Sequence, residues 1–421
     1  MILFGWVLAN TLLVAGFFAL TYAYYKLLKP VPRADSFPAA LPFVSIVVPA
    51  RNEEDKIGRC LSSLLAQNYP HFEIIVIDDR STDKTAEIIQ SFVEADTGKR
   101  IQFVPGKDAP EGWVGKCNAL AHAVRYASGD WFIFTDADTY HKPNSIRDAV
   151  YYAAKNNAEL CSFLPMQELV TFPEKLIMPL LLSSFLVGDP FHTVNDPKAT
   201  RAYAYGQYVI CRRDPYLALG GHQIVRDEIV EDHALARIFK EKGHKILVAD
   251  GRTLYSVRMY TDLTSLWQGW TKNLYAFIDS QIPNLLFLLF LINSVALVPF
   301  IQLLLFGQFI FSGASNNMIQ LMGALLVVQF VVLAYWFKTT SQHHEGTDWR
   351  HFFLFPFGSC AITVLYLHAA YLVLTGSQVN WKGRRYVVNT AKTIQSLPSP
   401  SFDLTLDTTL VHETREVSTI R

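Results

Sequence analysis

An α/β fold with a mostly parallel, Rossmann-like sheet, flanked by transmembrane helices at both ends of the chain, is predicted by three features of the 421-residue sequence. Short β-branched runs alternate with helical stretches between residues 43 and 135, the pattern of right-handed βαβ units. Acidic pairs, Asp78-Asp79 and Asp136/Asp138, close two of those runs, where ligands of parallel sheets collect. Long apolar segments stand at the amino terminus and beyond Pro283.

The elements follow in order. The apolar run from Ile2 to about Tyr25 is too long for the core of a signal peptide, lacks a basic start, and reads as a transmembrane anchor over residues 1–28. Lys26, Lys29 and Arg33 follow it, so the positive-inside rule puts the next region in the cytoplasm and the amino terminus outside. A linker containing Pro30, Pro32, Pro38 and Pro42 leads to the buried strand Phe43 to Pro49. A helix from about Glu54 to Gln67, a strand Phe72 to Asp78 and a helix Ser81 to Phe92 come next. After an irregular Gly/Pro segment there is a helix near Gly115 to Ala127, then the strand Trp131 to Thr135.

The catalytic domain is expected over residues 43–275, a membrane domain of about three helices over 284–376, and a Ser/Thr/Pro-rich disordered tail over 393–421. Glu174 to Val187 reads either as a helix lying at the membrane interface or as a core helix. Three spans are expected near Leu285 to Phe311, Met318 to Phe337 and Phe352 to Thr375. With the first helix these return the carboxyl terminus to the outside, yet Lys382, Arg384, Arg385 and Lys392 favour the cytoplasm. Pro356 and Gly358 offer one resolution, a re-entrant last segment.

Composition narrows the function classes. Hydrophobic residues make up 51% and charged residues 18%, and the formal net charge is zero, which gives no footprint for nucleic acid. The five cysteines, Cys60, Cys117, Cys161, Cys211 and Cys360, show neither disulfide nor zinc spacing.

Two carboxylates at i and i+2 beyond a strand end, Asp136 and Asp138, can converge on Mg²⁺ or Mn²⁺ and bridge the diphosphate of a nucleotide-sugar. The alternative is a solvated turn with a helix cap. Asp79 either receives the nucleotide's uracil or ribose edge or, with Ser81 and Asp83, caps the following helix. Lys116 stands near a helix start, where cations and free N–H groups meet phosphate, or is a surface lysine. Glu231-Asp232-His233 offers a general base at a helix start, or a cap. Trp267 to Asn273 supplies aromatic faces, an amide and a cation for a sugar, or interfacial anchoring. Gly220-Gly221-His222 reads as a turn near an acceptor, His222 itself being structural. Adjacent His343 and His344 lack the two-sided spacing of a metal site.

The order Val47-Val48-Pro49-Ala50-Arg51-Asn52-Glu53-Glu54, Asp78-Asp79-Arg80-Ser81-Thr82-Asp83, Lys116, Asp136-Ala137-Asp138 and Glu231-Asp232 resembles family-2 inverting glycosyltransferases of the GT-A fold, from about Phe43 to Asn273. The resemblance implies that Pro49, Arg51, Glu53, Asp79, Lys116, Asp136 and Lys272 bind the nucleotide-sugar, that Asp138 and Asp136 hold the divalent cation, and that Asp232 is the catalytic base. It implies an acceptor or sugar side at Gly221, His222, Gln268 and Trp270.

The single amino-terminal span, Gly220-Gly221-His222 and the tail Val379 to Tyr386 resemble bacterial enzymes that glycosylate carotenoids or hopanoids; ceramide glucosyltransferases are more distant. The implied activity is transfer from UDP-glucose or a similar donor to a lipid hydroxyl, by a multi-pass inner-membrane enzyme with its catalytic domain in the cytoplasm. Processive relatives carry QxxRW, whereas Gln268 here precedes Gly269-Trp270-Thr271-Lys272, which counts against a polysaccharide synthase and leaves Lys272 in the arginine's place. Metal-site carboxylates together with a candidate base count against a non-catalytic nucleotide-sugar binder.

Overall fold

In the computed structural model, residues 1–34, 41–188, 191–277, 282–311, 313, 315–377, 379–381 and 384–386 are described. The expected tail over 393–421 lies outside them. Helix α1 (Ile2–Leu27) leads into β1 (Val44–Ala50), α2 (Ile57–Leu65), β2 (Phe72–Asp78), α3 (Thr85–Ala95), β3 (Ile101–Pro105), α4 (Gly115–Ala123) and β4 (Trp131–Thr135). Then come β5 (Thr139–His141), α5 (Ser145–Lys155), β6 (Leu160–Leu164), β7 (Met166–Glu168), α6 (Phe172–Gly188), α7 (Phe191–Asn195), β8 (Tyr208–Arg212), α8 (Arg213–Ala218), α9 (Glu231–Glu241), β9 (Ile246–Asp250) and β10 (Tyr255–Val257). Helices α10 (Leu263–Phe277), α11 (Ile282–Ala296), α12 (Val298–Ile310) and α13 (Asn316–Thr340), strand β11 (His344–Glu345), helix α14 (Phe355–Thr375) and the pair β12 (Val379–Trp381) and β13 (Arg384–Tyr386) complete the described chain.

The main sheet has seven strands in the order β3-β2-β1-β4-β8-β6-β9, parallel except for β8. Its β-branched strands are buried on both faces, one core cluster lying under each. Strand order reverses between β1 and β4, which opens a crevice at their carboxyl ends. A second sheet, β11-β7-β10-β5, begins immediately after the Asp136-Ala137-Asp138 turn. The topology is that of a GT-A fold.

Several boundaries differ from expectation for local reasons. Helix α3 starts at Thr85 rather than Ser81, because the Asp83 carboxylate accepts the Thr85 N–H at 3.0 Å and keeps the preceding turn open. Helix α4 stops at Ala123 and tightens into a 3-10 turn. Ile101–Pro105, taken for part of an irregular stretch, is the edge strand β3.

The segment Leu285 to Phe311 is not one straight span: α11 and α12 meet at a 47° bend. Pro299 lies in the first turn of α12, where it supplies no N–H to continue the preceding helix. Pro356, by contrast, sits in the first turn of a continuous helix α14, where proline is tolerated. Helix α6 is longer than expected, and Ile177, Met178, Leu180 and Leu181 are buried against α10, α11 and α14.

Among the membrane helices, α1 and α13 run parallel. Val7 clusters with Met322 and Leu326, Val14 with Leu333, and Phe17 rests on Trp336 at 5.6 Å between ring centres. Tyr25 meets His343 at 4.9 Å. Helix α12 runs against them, with Phe300 on Phe330 and the Gln302 amide donating to the Trp6 carbonyl at 3.3 Å. Helix α14 begins at the last turns of α13, Phe355 against Trp336 and Phe337. It then follows α11, α6 and α10, and β12 packs on α10.

Candidate active site

A cavity of about 350 Å³ opens where the carboxyl ends of β1, β2 and β4 meet the second sheet. Pro49, Arg51, Glu53, Asp79, Lys116, Asp136, Asp138, Asp232, Trp270 and Lys272 all line it. The structure therefore brings residues separated by more than two hundred positions in the sequence into one space.

Backbone geometry sets up the polar end. Asn52 and Arg80, just beyond β1 and β2, adopt left-handed conformations with φ of 51° and 59°. These turn the two loops onto each other: Arg51 Nη1 donates to the Asp79 carbonyl at 2.6 Å and the Arg80 carbonyl at 3.0 Å. The Asn52 N–H donates to Ser81 Oγ at 2.9 Å. The capping alternative for Asp79 resolves onto its neighbours, since Asp78 accepts the Ser81 N–H and Asp83 the Thr85 N–H.

Lys116, in the first turn of α4, reaches Asp136 Oδ1 at 2.8 Å and Glu231 Oε1 at 2.7 Å. Burial works against its charge, but Asp136, Glu231 and Asp232 outweigh burial and hold its pKa well above the usual lysine range. Glu231, 6% exposed, is held below the usual carboxylate range by that lysine against the opposing effect of burial. It was absent from the expected site residues, although its place beside Asp232 in a first helical turn was a usable signal. Lys56 was missed as well; its ammonium lies 4.0 Å from Asp138 Oδ2 and 3.8 Å from Glu53 Oε2.

Asp232 is fixed through both oxygens: Oδ2 accepts the Gly206 N–H at 2.6 Å and Oδ1 the His233 N–H at 2.9 Å. A side chain at position 206 would bring its Cβ within 2.7 Å of Oδ2, so the approach requires glycine. Burial, with Glu231 adding to it, raises the Asp232 pKa. Burial likewise lowers that of Lys272.

Three of the expected acceptor-side positions lie elsewhere. Gln268 faces outward from α10 and does not line the cavity. Gly221 and His222 support the fold behind it: Gly221, at φ 54°, lies under the Tyr216 ring, and His222 Nδ1 pairs with the Tyr216 hydroxyl at 2.7 Å against Phe134. Burial pushes the His222 pKa down to about 4, so its ring is neutral at physiological pH. Trp270 lines the cavity while its indole N–H points to Met178 Sδ at 3.0 Å.

The far wall comes from α1, α6 and the loop after α13; sequence reading had the acceptor entering between the stretch near Lys175 to Val187 and the carboxyl-terminal apolar segments, but passed over His343 and His344. Strand β11, which follows α13, pairs with β7 and brings His343 and His344 to the cavity beside Tyr25 and Leu182.

The family model for glycosyl transferase family 2 matches residues 45–189. A 4,4'-diaponeurosporenoate glycosyltransferase of Staphylococcus aureus strain MRSA252 is 30% identical over 258 residues, 60% of this chain and 67% of the relative. The chain belongs to glycosyl transferase family 2. The enzyme of the same name from strain USA300 is 26% identical over 351 residues, 82% of this chain and 88% of the relative. Among solved structures, a Pyrobaculum calidifontis mannosyltransferase in complex with GDP-Man and Mn²⁺ aligns with a TM-score of 0.48 at 18% identity, covering 88% of this chain and 99% of that one. S. aureus TarS residues 1–349 with UDP-GlcNAc aligns with a TM-score of 0.36 at 15% identity, over 82% and 96%. As a family-2 member with this site, the protein is a glycosyltransferase.

Proposed function

We propose that this glycosyltransferase moves a sugar, with inversion, from a nucleotide-sugar to an oxygen of a lipid drawn from the membrane. One observation carries the reading: a single cavity runs from the charged strand ends at Asp79, Asp136 and Asp138 to Tyr25, Leu182 and His343 at the membrane helices. The relatives' substrate, diaponeurosporenoate, is a carotenoid acid, so a carotenoid-type lipid is the leading acceptor class. UDP-glucose is the donor to try first.

Asp138 and Asp136, whose hard carboxylate oxygens face the cavity, would hold a Mg²⁺ or Mn²⁺ ion. Such an ion would neutralise charge on the departing diphosphate. The chain's own residues do the rest. Arg51 and Asp79 frame the nucleotide end, and Lys116, locked between Asp136 and Glu231, keeps the metal-binding turn in position. Asp232 takes the proton from an acceptor hydroxyl as its oxygen attacks the anomeric carbon; the bond from that carbon to the diphosphate breaks and the nucleoside diphosphate leaves. A carboxylate acceptor would arrive already deprotonated and need no base. Incubating purified protein with Mn²⁺, radiolabelled UDP-glucose and bacterial lipid extract should move label into lipid as single sugars. Polymer, or UDP binding without transfer, would overturn the reading.

The same reading includes a topology with the catalytic domain in the cytoplasm. Helices α1 and α13 and the segment Trp349–Thr375 that contains α14 are each long and apolar enough to cross, and the bent pair α11–α12 is a fourth candidate; three crossings, α1, the bent pair and α13, account for the parallel packing of α1 and α13. Helix α14 starts beside Trp336 and Phe337, near the end of α13 that enters the second sheet, and returns to α10, where His368 accepts from the Trp267 indole at 3.1 Å. Both its ends lie on the catalytic side. Its exposed stripe, Phe357, Val364, Leu367, Tyr371 and Leu374, is the face for lipid. The basic tail then shares the side of Lys26, Lys29 and Arg33, which satisfies the positive-inside rule that four crossings violate. A reporter active only in the cytoplasm, fused after the last residue, should be active; a reporter active only outside should be silent. The reverse would exclude three crossings.

A further inference from the structure

The membrane end of the cavity carries polar atoms without protein partners. Nδ1 of His344 is buried there and makes no hydrogen bond within the protein, the buried ring of His343 has only the Thr340 backbone as a polar partner, and Oε1 of Gln207, nearer the strand ends, is likewise buried without a partner. His343 is 6% and His344 7% exposed, and all three residues line the cavity. A buried donor or acceptor left unsatisfied is costly, so such a set of groups on a cavity wall is what a polar ligand would complete.

Their position follows from strand register. His344 stands opposite Gln167, Gln167 opposite Val257, and Val257 opposite Thr139, which directly follows Asp138. Three interstrand steps at about 4.8 Å put His344 about 14 Å from Thr139, across the cavity from the metal-binding turn. Gln207 lines the same cavity nearer the strand ends: it follows Gly206, whose N–H holds Asp232, and its carbonyl accepts from Thr135 Oγ1 at 2.9 Å.

The charge of this end contrasts with the other. Arg51, Lys116 and Lys272 line the cavity on the nucleotide side, whereas the membrane end is walled by Tyr25, Leu182, Tyr205, His343 and His344. The neighbouring guanidinium of Arg252 is taken up by Asp250 at 2.6 Å and by the Gln342 carbonyl at 2.8 Å. Burial holds the His344 pKa down at about 3, so its ring adds no cation. Neutral imidazoles and an amide offer single N–H donors and acceptors, which match a hydroxyl or carboxyl oxygen; a phosphate dianion calls for cations.

We propose that His343, His344 and Gln207 form the subsite for the acceptor's head, and that it selects a hydroxyl- or carboxyl-ended lipid over a lipid phosphate. This rests on the lipid-transfer reading above and specifies the acceptor class within it.

The test uses the full-length protein in detergent with Mn²⁺ and UDP-glucose. Three acceptors are compared: a carotenoid with a terminal hydroxyl, the same carotenoid with a terminal carboxyl, and a polyprenyl monophosphate of matched length. The phosphate should be at least about tenfold poorer in kcat/KM than the better carotenoid, and the ranking of the other two separates hydroxyl from carboxyl. His343→Leu and His344→Leu should each raise the acceptor KM about tenfold, with UDP binding by calorimetry and the donor KM within about twofold of wild type. His344→Asn, whose amide again donates and accepts, should recover most of the loss.

A preference for the phosphate, or unchanged acceptor KM in folded leucine variants, would overturn the subsite. Should those variants fail to fold, the wild-type ranking decides alone. Intact UDP binding with no label in any lipid would instead sink the transfer reading, and this inference with it.

Discussion

The charged end of the cavity takes its residues from the ends of β1, β2 and β4 and from the first turns of α4 and α9, and most of its groups bear formal charge. The membrane end is assembled from the last turn of α1, from α6, from the segment before β8 and from the loop after α13, and it bears almost none. One half is fixed by a sheet whose strand ends converge by topology, the other by helices that meet only because the chain returns from the membrane. On the reading proposed above, the sheet carries the residues that hold a diphosphate and activate an oxygen, and the helix ends and a two-residue strand carry those that meet the lipid.

The largest test of that division is Asp232→Asn. The amide keeps its size but cannot take a proton, so with a hydroxyl acceptor kcat should fall by about 10²–10⁴ while UDP affinity stays within about twofold. Equal transfer by wild type and variant would remove Asp232 from the reaction.

Next in size is the ion-pair cluster. Lys116→Met leaves Glu231 buried beside an apolar chain and should cost about 3–5 kcal/mol of stability, read from urea midpoints in detergent. Adding Glu231→Gln should recover much of the stability and none of the activity. Full recovery of activity would reduce the lysine to a structural prop.

The smallest effect is on pH dependence. Burial raises the Asp232 pKa, so its carboxylate form, the active one, is lost as pH falls through a value above the ordinary aspartate range. With a hydroxyl acceptor kcat should fall about tenfold per pH unit below that value. With a carboxyl acceptor it should stay flat until the acceptor itself protonates. A common profile for both would argue that the base is not Asp232.

The unequal legibility of the two halves follows from their construction. Strands β1, β2 and β4 announce themselves as short β-branched runs, and the acidic residues that close them are local in sequence. Asp232 stood out only through the order of motifs that the resemblance rests on, since a carboxylate at a helix start can equally be a cap, and its neighbour Glu231 was passed over beside it. The register that sets His344 opposite Gln167 is a long-range pairing that leaves no periodic trace in a two-residue strand. The bend at Pro299 was legible in principle, since an interior proline ends a helix; the run of apolar residues around it masked the signal. Gly221 and His222 divide the two readings: the residues alone made His222 structural, as its bond to Tyr216 has it, whereas their place on the acceptor side does not match a turn that braces Tyr216 behind the cavity.

Strand β11 has a consequence for how the enzyme comes into being. Its partner β7 is translated early, but β11 can join the second sheet only after α13 has been made. A nascent or truncated chain thus owns the strand-end half of the cavity long before it owns the opposite wall, and completion of the cavity waits for the chain beyond α13.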